Sequence, residues 1–310
     1  MSELKLATVR YPWVDVEAEC QVSVVIPAYN EEAAIGEDLA TVRRALDGCG
    51  ARYEIIVVDD GSTDRTGAIA TACDGVRVIR HTCNRGTGAA RTTGIRAARG
   101  DVIVMTDADG TYPNQDIPRL LAALSDADMA VGARRQEAGT VPWLRAPTKW
   151  FIRMLAQFLA GTRIPDLNSG FRAFKREIAL RYLNILPNTH SWVSTITLAF
   201  LSDGYTVAYV PIDYYPRKGR SSFHPISDTY NYITLVVRSI MYFNPLKVFL
   251  PLTGLLLLVG IIKFIRDLFT YGSIFYIPGI TLLLLFMAAQ VGALGLLADL
   301  IVRRTKGPPT

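Results

Sequence analysis

Asp107 and Asp109 are carboxylates two positions apart, in Asp107-Ala108-Asp109, at the close of an apolar run, Val102-Ile103-Val104-Met105. A pair so spaced at a strand end can share one divalent cation, and such a cation can neutralise a diphosphate. That points to chemistry on a nucleotide-sugar. The same residues would also serve as a solvated turn after a strand, so their surroundings decide between the two.

Those surroundings are strands and helices in alternation. Gln21–Ile26 is a short β-branched run followed by Pro27-Ala28-Tyr29-Asn30-Glu31-Glu32. Tyr53–Val58 ends in Asp59-Asp60-Gly61-Ser62-Thr63-Asp64, and Val76–Ile79, Val102–Met105 and Met129–Ala133 read as further strands. Ala33–Leu46, Arg65–Cys73 and Gly88–Ala98 carry helical spacing. This alternation predicts an α/β fold with a mainly parallel sheet covered on both faces. Ligands of such sheets bind outside the carboxyl ends of the strands. The tyrosine loop, the Asp59-Asp60 pair and Asp107/Asp109 all fall there, which predicts one shared crevice. Asp60, Ser62 and Asp64 also suit a turn and helix cap before Arg65. Asn84-Arg85-Gly86 could face a phosphate or form an ordinary helix entry. His81 and His190 lack a second ligand at metal spacing and read as hydrogen-bonded structural groups. Cys20, Cys49, Cys73 and Cys83 show no paired spacing, so neither a zinc site nor a disulfide framework is expected.

Val-Val-Ile-Pro-Ala-Tyr-Asn-Glu-Glu at 24–32, Val-Val-Asp-Asp-Gly-Ser-Thr-Asp at 57–64 and Asp-Ala-Asp at 107–109 together resemble the inverting family 2 glycosyltransferases, which have the GT-A fold. Asp166-Leu167-Asn168-Ser169-Gly170-Phe171-Arg172 and Arg217-Lys218-Gly219-Arg220-Ser221-Ser222 narrow the resemblance to the dolichyl- and polyprenyl-phosphate sugar synthases. It covers roughly residues 20–225 and reaches into the C-terminal tail.

The resemblance implies roles residue by residue. Asp107 and Asp109 would hold Mg2+ or Mn2+, a Lewis acid for the leaving diphosphate. In the resembling enzymes a glutamine often follows two positions later. Here Thr111 stands there, leaving its hydroxyl or a water to complete the coordination. Pro27, Tyr29 and Glu31 would line the nucleotide pocket, Asp59 would face the base, and Asp107 would approach the diphosphate. A polyprenyl phosphate is already anionic at neutral pH, so orienting it matters more than deprotonating it. Arg134, Arg172 and Arg217, with the Ser221 hydroxyl, are the candidates for that phosphate. Asp166 would act as a general base or anchor the loop after it. The resembling enzymes often carry Ser-Lys where this chain has Ser221-Ser222, and Lys218, Arg220 or His224 would have to substitute.

The chain has 310 residues, 50% apolar content and a formal net charge of +5. Residues 1–20 contain Tyr11-Pro12-Trp13 and several acids. With no basic start or long apolar core they read as a peripheral arm, not a signal peptide. A glycosyltransferase domain is expected over 21–225, a juxtamembrane amphipathic helix over 226–245, two transmembrane helices over 246–302 and a tail over 303–310. Val248–Ile265 is an 18-residue apolar run, if Lys263 snorkels, and Leu268–Ala298 is an uncharged run of 31. Arg266-Asp267 and Tyr271-Gly272-Ser273 would form the connection. Arg238, Lys247, Arg303, Arg304 and Lys306 flank the pair, which puts both ends and the catalytic domain in the cytosol. Residues 215–247 hold five Lys/Arg against one Asp, a basic stretch suited to anionic lipid. Nucleic acid is not an expected partner, because this cluster abuts a membrane run and not a groove-reading motif. Self-association into a homo-oligomer is compatible with the sequence.

The expected protein is an integral membrane enzyme. It moves one sugar, from a UDP-sugar in preference to GDP-mannose, onto polyprenyl or dolichyl phosphate. A processive polysaccharide synthase is the rival enzyme, but its Gln-x-x-Arg-Trp motif is absent here. A catalytically silent membrane scaffold is the rival of another class.

Overall fold

The computed structural model describes residues 20–135, 164–189, 191–216, 241, 245–272 and 277–305. Two compact units are distinguished, Met1–Tyr232 and Ile233–Thr310. The N-terminal arm, most of the expected amphipathic helix, Arg217, Lys218, Arg220, Ser221, His224 and His190 lie outside the described residues.

The first unit is built on β1 (Val22–Ala28), all seven residues of which are buried. A strand covered on both faces reads as a continuous apolar run, as this one does. β2 (Tyr53–Asp59) and β4 (Val102–Met105) flank it in parallel, and β3 (Val76–Arg80) continues the sheet beyond β2. β5 (Met129–Arg134) pairs in parallel with β7 (Val207–Ile212). Between β4 and β5 lies β6 (Arg172–Lys175), antiparallel to both, so the order is β3-β2-β1-β4-β6-β5-β7. The expected mainly parallel α/β sheet is what forms, and β6 is its reversed member.

α1 (Ile35–Asp47) buries Ile35, Leu39, Val42 and Leu46, an apolar stripe at helical spacing. Full burial of such a side chain stabilises by roughly 1.5–3 kcal/mol. α2 (Thr66–Ala72) follows β2, and α3 (Thr87–Ala97) follows β3. α3 lies close against the sheet because Gly94 has no Cβ, where one would meet Val25 and Val58. α4 (Ile117–Ala123), α5 (Arg176–Leu180) and α6 (Trp192–Ser202) complete the layers.

The second unit is a helical hairpin of α7 (Leu246–Tyr271) and α8 (Gly279–Thr305). Both helices are long and apolar enough to cross a membrane, over Leu246–Tyr271 and Gly279–Val302. A Cβ on Gly260 would meet Leu285, and one on Gly295 would meet Phe249, so the helices pack antiparallel. The expected connection is corrected in one respect. Arg266 and Asp267 belong to α7, which continues to Tyr271 and stops at Gly272 in the left-handed region, φ 61°. Asp267 is tolerated there because Lys263 Nζ donates to both its oxygens at 2.8 Å and the Thr281 hydroxyl donates to Oδ2.

Candidate active site

Parallel strands deliver their following loops to one edge of the sheet. Ala28 is level with Asp59, so the loops after β1 and β2 begin side by side, and Met105 is level with Arg172, so the loop after β4 begins where the loop into antiparallel β6 ends. The first two loops lock together through short polar side chains. Asn30 is left-handed, φ 56°, a conformation asparagine tolerates better than most residues. Its N–H donates to Ser62 Oγ at 3.1 Å, and its Oδ1 accepts the Thr63 N–H at 2.8 Å. The Glu31 N–H donates to Thr66 Oγ1 at 2.8 Å. Tyr29 stands at this rim, 42% exposed, while Pro27 is buried within β1 and Glu31 is buried beside α2.

The two aspartates ending β2 are used differently. Asp59 is fully buried; Oδ1 accepts the Ser62 N–H at 2.8 Å, and Oδ2 has Arg80 Nε 3.4 Å away but accepts no hydrogen bond. Asp60 is saturated. It bonds His81 Nδ1 at 2.6 Å and accepts the N–H groups of Arg85 at 3.0 Å and Gly86 at 2.8 Å. Its carboxylate therefore takes the place at the α3 N-terminus that a phosphate would need, and Asn84-Arg85-Gly86 is a helix entry. His81 also bonds Thr93 Oγ1 at 3.0 Å.

Asp107 is held on one side. Arg91 Nη2, from the buried face of α3, donates to its Oδ1 at 2.8 Å. The other oxygen faces Gly170, where a Cβ would lie 2.7 Å from Oδ2. Gly170 is itself pinned by donating its N–H to the Tyr112 hydroxyl at 2.7 Å, and Tyr112 stacks on Phe171 at 5.7 Å. Burial, then the nearby Asp107 charge, raises the Tyr112 hydroxyl pKa. Asp109 is buried, and its Oδ1 accepts the Thr111 hydroxyl at 2.6 Å and the Thr111 N–H at 3.2 Å. Beneath the turn, Asp38 Oδ2 accepts the Gly110 N–H at 2.9 Å and Oδ1 accepts the Asn114 amide at 2.9 Å. Burial pushes Asp38 up to about 6. The Asp109 charge adds to this, against the bonds from Gly110 and Asn114.

Among the described residues no cluster of three or more His, Cys, Asp or Glu could hold a metal ion. Two carboxylates still fit a magnesium-type ion, which takes one or two from protein and the rest from substrate phosphates and water. The absence of a Cβ at Gly170 makes room for Asp107 Oδ2 in this position, and the Asp107 side chain remains 27% exposed. The Thr111 hydroxyl gives its proton to Asp109 Oδ1, which leaves the lone pairs of its own oxygen for an ion held between the carboxylates.

On the other side of β4, Asp166 grips Arg134 with two bonds, Nε to Oδ2 at 2.7 Å and Nη2 to Oδ1 at 3.0 Å. It also accepts the Asn168 N–H at 3.0 Å, which makes it a loop anchor. Burial raises its pKa, but the Arg134 bonds and charge and two backbone N–H groups outweigh that and lower it. The Arg134 guanidinium lies 5.2 Å over the Tyr214 ring. Arg172, expected at the acceptor phosphate, requires correction. It has no exposed surface; its guanidinium donates to Ser169 O, Val193 O and Thr197 Oγ1, tying the loop before β6 to α6. Desolvation lowers its pKa to about 10, with the nearby Arg91 charge contributing.

Arg91, Asp38 and Tyr112 shape this site and were not among the expected residues. The available signal for Arg91 was a cation beside Ala89 and Ala90 on a helix whose small residues face inward.

Comparison with known proteins agrees with this geometry. Residues 23–183 match glycosyl transferase family 2, and residues 244–303 match the GtrB C-terminal hairpin. The chain is 36% identical over 208 residues to the dolichyl-phosphate hexose transferase of Haloferax volcanii, covering 66% of this chain and 88% of that protein. It is 29% identical over 295 residues to the undecaprenyl-phosphate 4-deoxy-4-formamido-L-arabinose transferase of Edwardsiella ictaluri, covering 91% and 89%. The glucosyl-3-phosphoglycerate synthase of Mycobacterium tuberculosis, solved with Mn2+ and UDP-glucose, superposes with a TM-score of 0.56 at 25% identity, over 71% of this chain and 79% of that one. A family match spanning the sheet from β1 past β6, on a fold shared with a sugar-nucleotide enzyme, makes this chain a member of glycosyl transferase family 2.

Proposed function

We propose that the chain transfers one sugar, with inversion, from a nucleotide-sugar to polyprenyl or dolichyl phosphate at the cytosolic membrane face. A UDP-sugar is favoured over GDP-mannose. The observation that carries this is the placement of Asp107: one oxygen fixed by Arg91, the other seated against the bare Cα of Gly170, the side chain 27% exposed, with Asp109 two residues on. Support also comes from the relatives, which include a dolichyl-phosphate hexose transferase.

Asp107 and Asp109 would hold Mg2+ or Mn2+, which when bound supplies Lewis-acid stabilisation of the departing diphosphate. Asp59 would face the nucleobase side of the pocket, and exposed Tyr29 offers a face for the ring. Arg134 orients the acceptor phosphate, and the Asp166 grip fixes the plane of its guanidinium. Arg217 and Ser221 would join it from the segment outside the described residues. The acceptor oxygen, already anionic, forms the new bond to the anomeric carbon while the bond to the diphosphate breaks. No side chain has to remove a proton. The α7–α8 hairpin anchors the enzyme where its lipid substrate lies, with the flanking cations on the cytosolic side.

The test is nucleotide release by the full chain in lipid, with Mn2+ and a panel of UDP- and GDP-sugars. Release that requires polyprenyl phosphate and yields a sugar-bearing lipid phosphate supports the reading. Release indifferent to that lipid overturns it.

A further inference from the structure

The buried stripe of α1 has one charged member. Asp38 lies in it beside Ile35, Leu39 and Val42. A carboxylate in such a layer is costly unless its oxygens are hydrogen-bonded. Both are bonded, and both to the segment that carries Asp107 and Asp109. Oδ2 accepts the Gly110 N–H at 2.9 Å, and Gly110 is left-handed, φ 73°, where the chain turns over after Asp109. Oδ1 accepts the Asn114 amide at 2.9 Å, from the short 3-10 turn Asn114–Asp116. Asn114 Oδ1 in turn accepts the Thr106 hydroxyl at 2.6 Å. One arm of this relay ends just after Asp109, and the other just before Asp107. Asp38, Asn114 and Thr106 are all buried, so water competes little for these bonds.

We propose that Asp38 is a positioning residue for the divalent cation: from α1 it holds the turn between Thr106 and Gly110 in the shape in which Asp107 and Asp109 share one ion. The inference rests on the metal reading given above. Two carboxylates repel each other until the ion arrives, and a turn held by its own backbone alone would relax by swinging them apart. The bonds to Gly110 and, through Asn114, to Thr106 oppose that from outside the coordination sphere. A carboxylate suits the task because it accepts on both oxygens, and the two groups it meets are both donors. Arg91 braces Asp107 from α3, and the Asp38 relay braces the turn from α1. Removing a group that orients ligands without touching the ion typically weakens metal binding about ten- to a hundred-fold.

The experiment titrates Mn2+ into the full chain in detergent, with UDP in one arm and GDP in the other, and reads free Mn2+ by its EPR signal against nucleotide alone. Asp38→Leu should raise the Mn2+ midpoint about ten- to a hundred-fold, and excess Mn2+ should restore its turnover. Thr106→Val, which cuts only the far arm, should shift the midpoint the same way and by less. Leu46→Ala, buried two turns further along α1, should lower Tm and leave the midpoint unchanged. A folded Asp38→Leu variant with the wild-type midpoint overturns this proposal alone; if that variant does not fold, an unchanged midpoint in Thr106→Val does so. A Leu46→Ala variant that raises the midpoint as far as Asp38→Leu also overturns it, because lost stability would then be the cause. A wild-type chain that takes up no Mn2+ beyond nucleotide alone overturns the metal reading and this proposal with it.

Discussion

Asp107 is gripped by Arg91 through one oxygen while its side chain stays partly exposed, and the residue-scale predictions follow from that placement. Asp107→Asn and Asp109→Asn should each lower turnover about a hundred-fold or more, because each removes a charged ligand worth several kcal/mol at the transition state. Chelator should reproduce the loss reversibly, and near-normal rates in EDTA would remove the metal from the scheme. Arg172 calls for a different assay. Its guanidinium is enclosed and bonded to backbone carbonyls, so Arg172→Ala should destabilise the fold by about 3 kcal/mol or more, read as a lower Tm. A variant of normal Tm with a raised KM for the lipid would return Arg172 to the acceptor site. Asp166 supplies the pH dependence. Its folded pKa lies below the ordinary carboxylate value, so its contribution is full above about pH 4 and fades as pH falls through the folded pKa. The Tm gap between wild type and Asp166→Asn should therefore narrow below about pH 4. A gap constant down to pH 3 would contradict the Arg134–Asp166 pairing.

The loop that enters β6 is the element on which the site closes. Gly170→Ala would put a Cβ 2.7 Å from Asp107 Oδ2, the movable end of a side chain, so Asp107 should turn away with little cost to the fold. Turnover should fall roughly ten- to a hundred-fold with Tm nearly unchanged, and an active Gly170→Ala variant would show that Asp107 needs no such clearance. β1, β2 and β4 were legible because each carries an apolar run ending in a polar loop, and β4 falls where it was expected, at Val102–Met105. β6 was not. Arg172–Lys175 is four residues with a cation at each end, too short for a period of two to declare itself, and nothing local announces that it runs backwards. Arg91 and Arg172 were obscured for one physical reason: sequence patterns place cations in water, and both are buried by partners distant in the chain. Asp267 broke the same rule inside α7, where Lys263 and Thr281 neutralise it.

For the whole molecule, the proposed topology predicts that a tag after Thr310 and the catalytic unit report the same, cytosolic side, and a tag at Gly272 the other. Opposite reports from the first two would mean a single crossing. The reversed strand also bears on the order in which the chain can be assembled. β5 leaves the ribosome before β6, yet its route into the rest of the sheet is through β6, which separates it from β4. A nascent chain ending near residue 135 therefore holds β1–β4 with an open edge on β4, and a β5 that has nothing to pair with. Arg172–Lys175 seals both gaps at once. Until then, synthesis carries an exposed strand edge, the feature that recruits foreign strands and misassembly. Stalled chains ending shortly before β6 should be captured by holdase chaperones and cut readily by protease, and those ending beyond β7 should escape both.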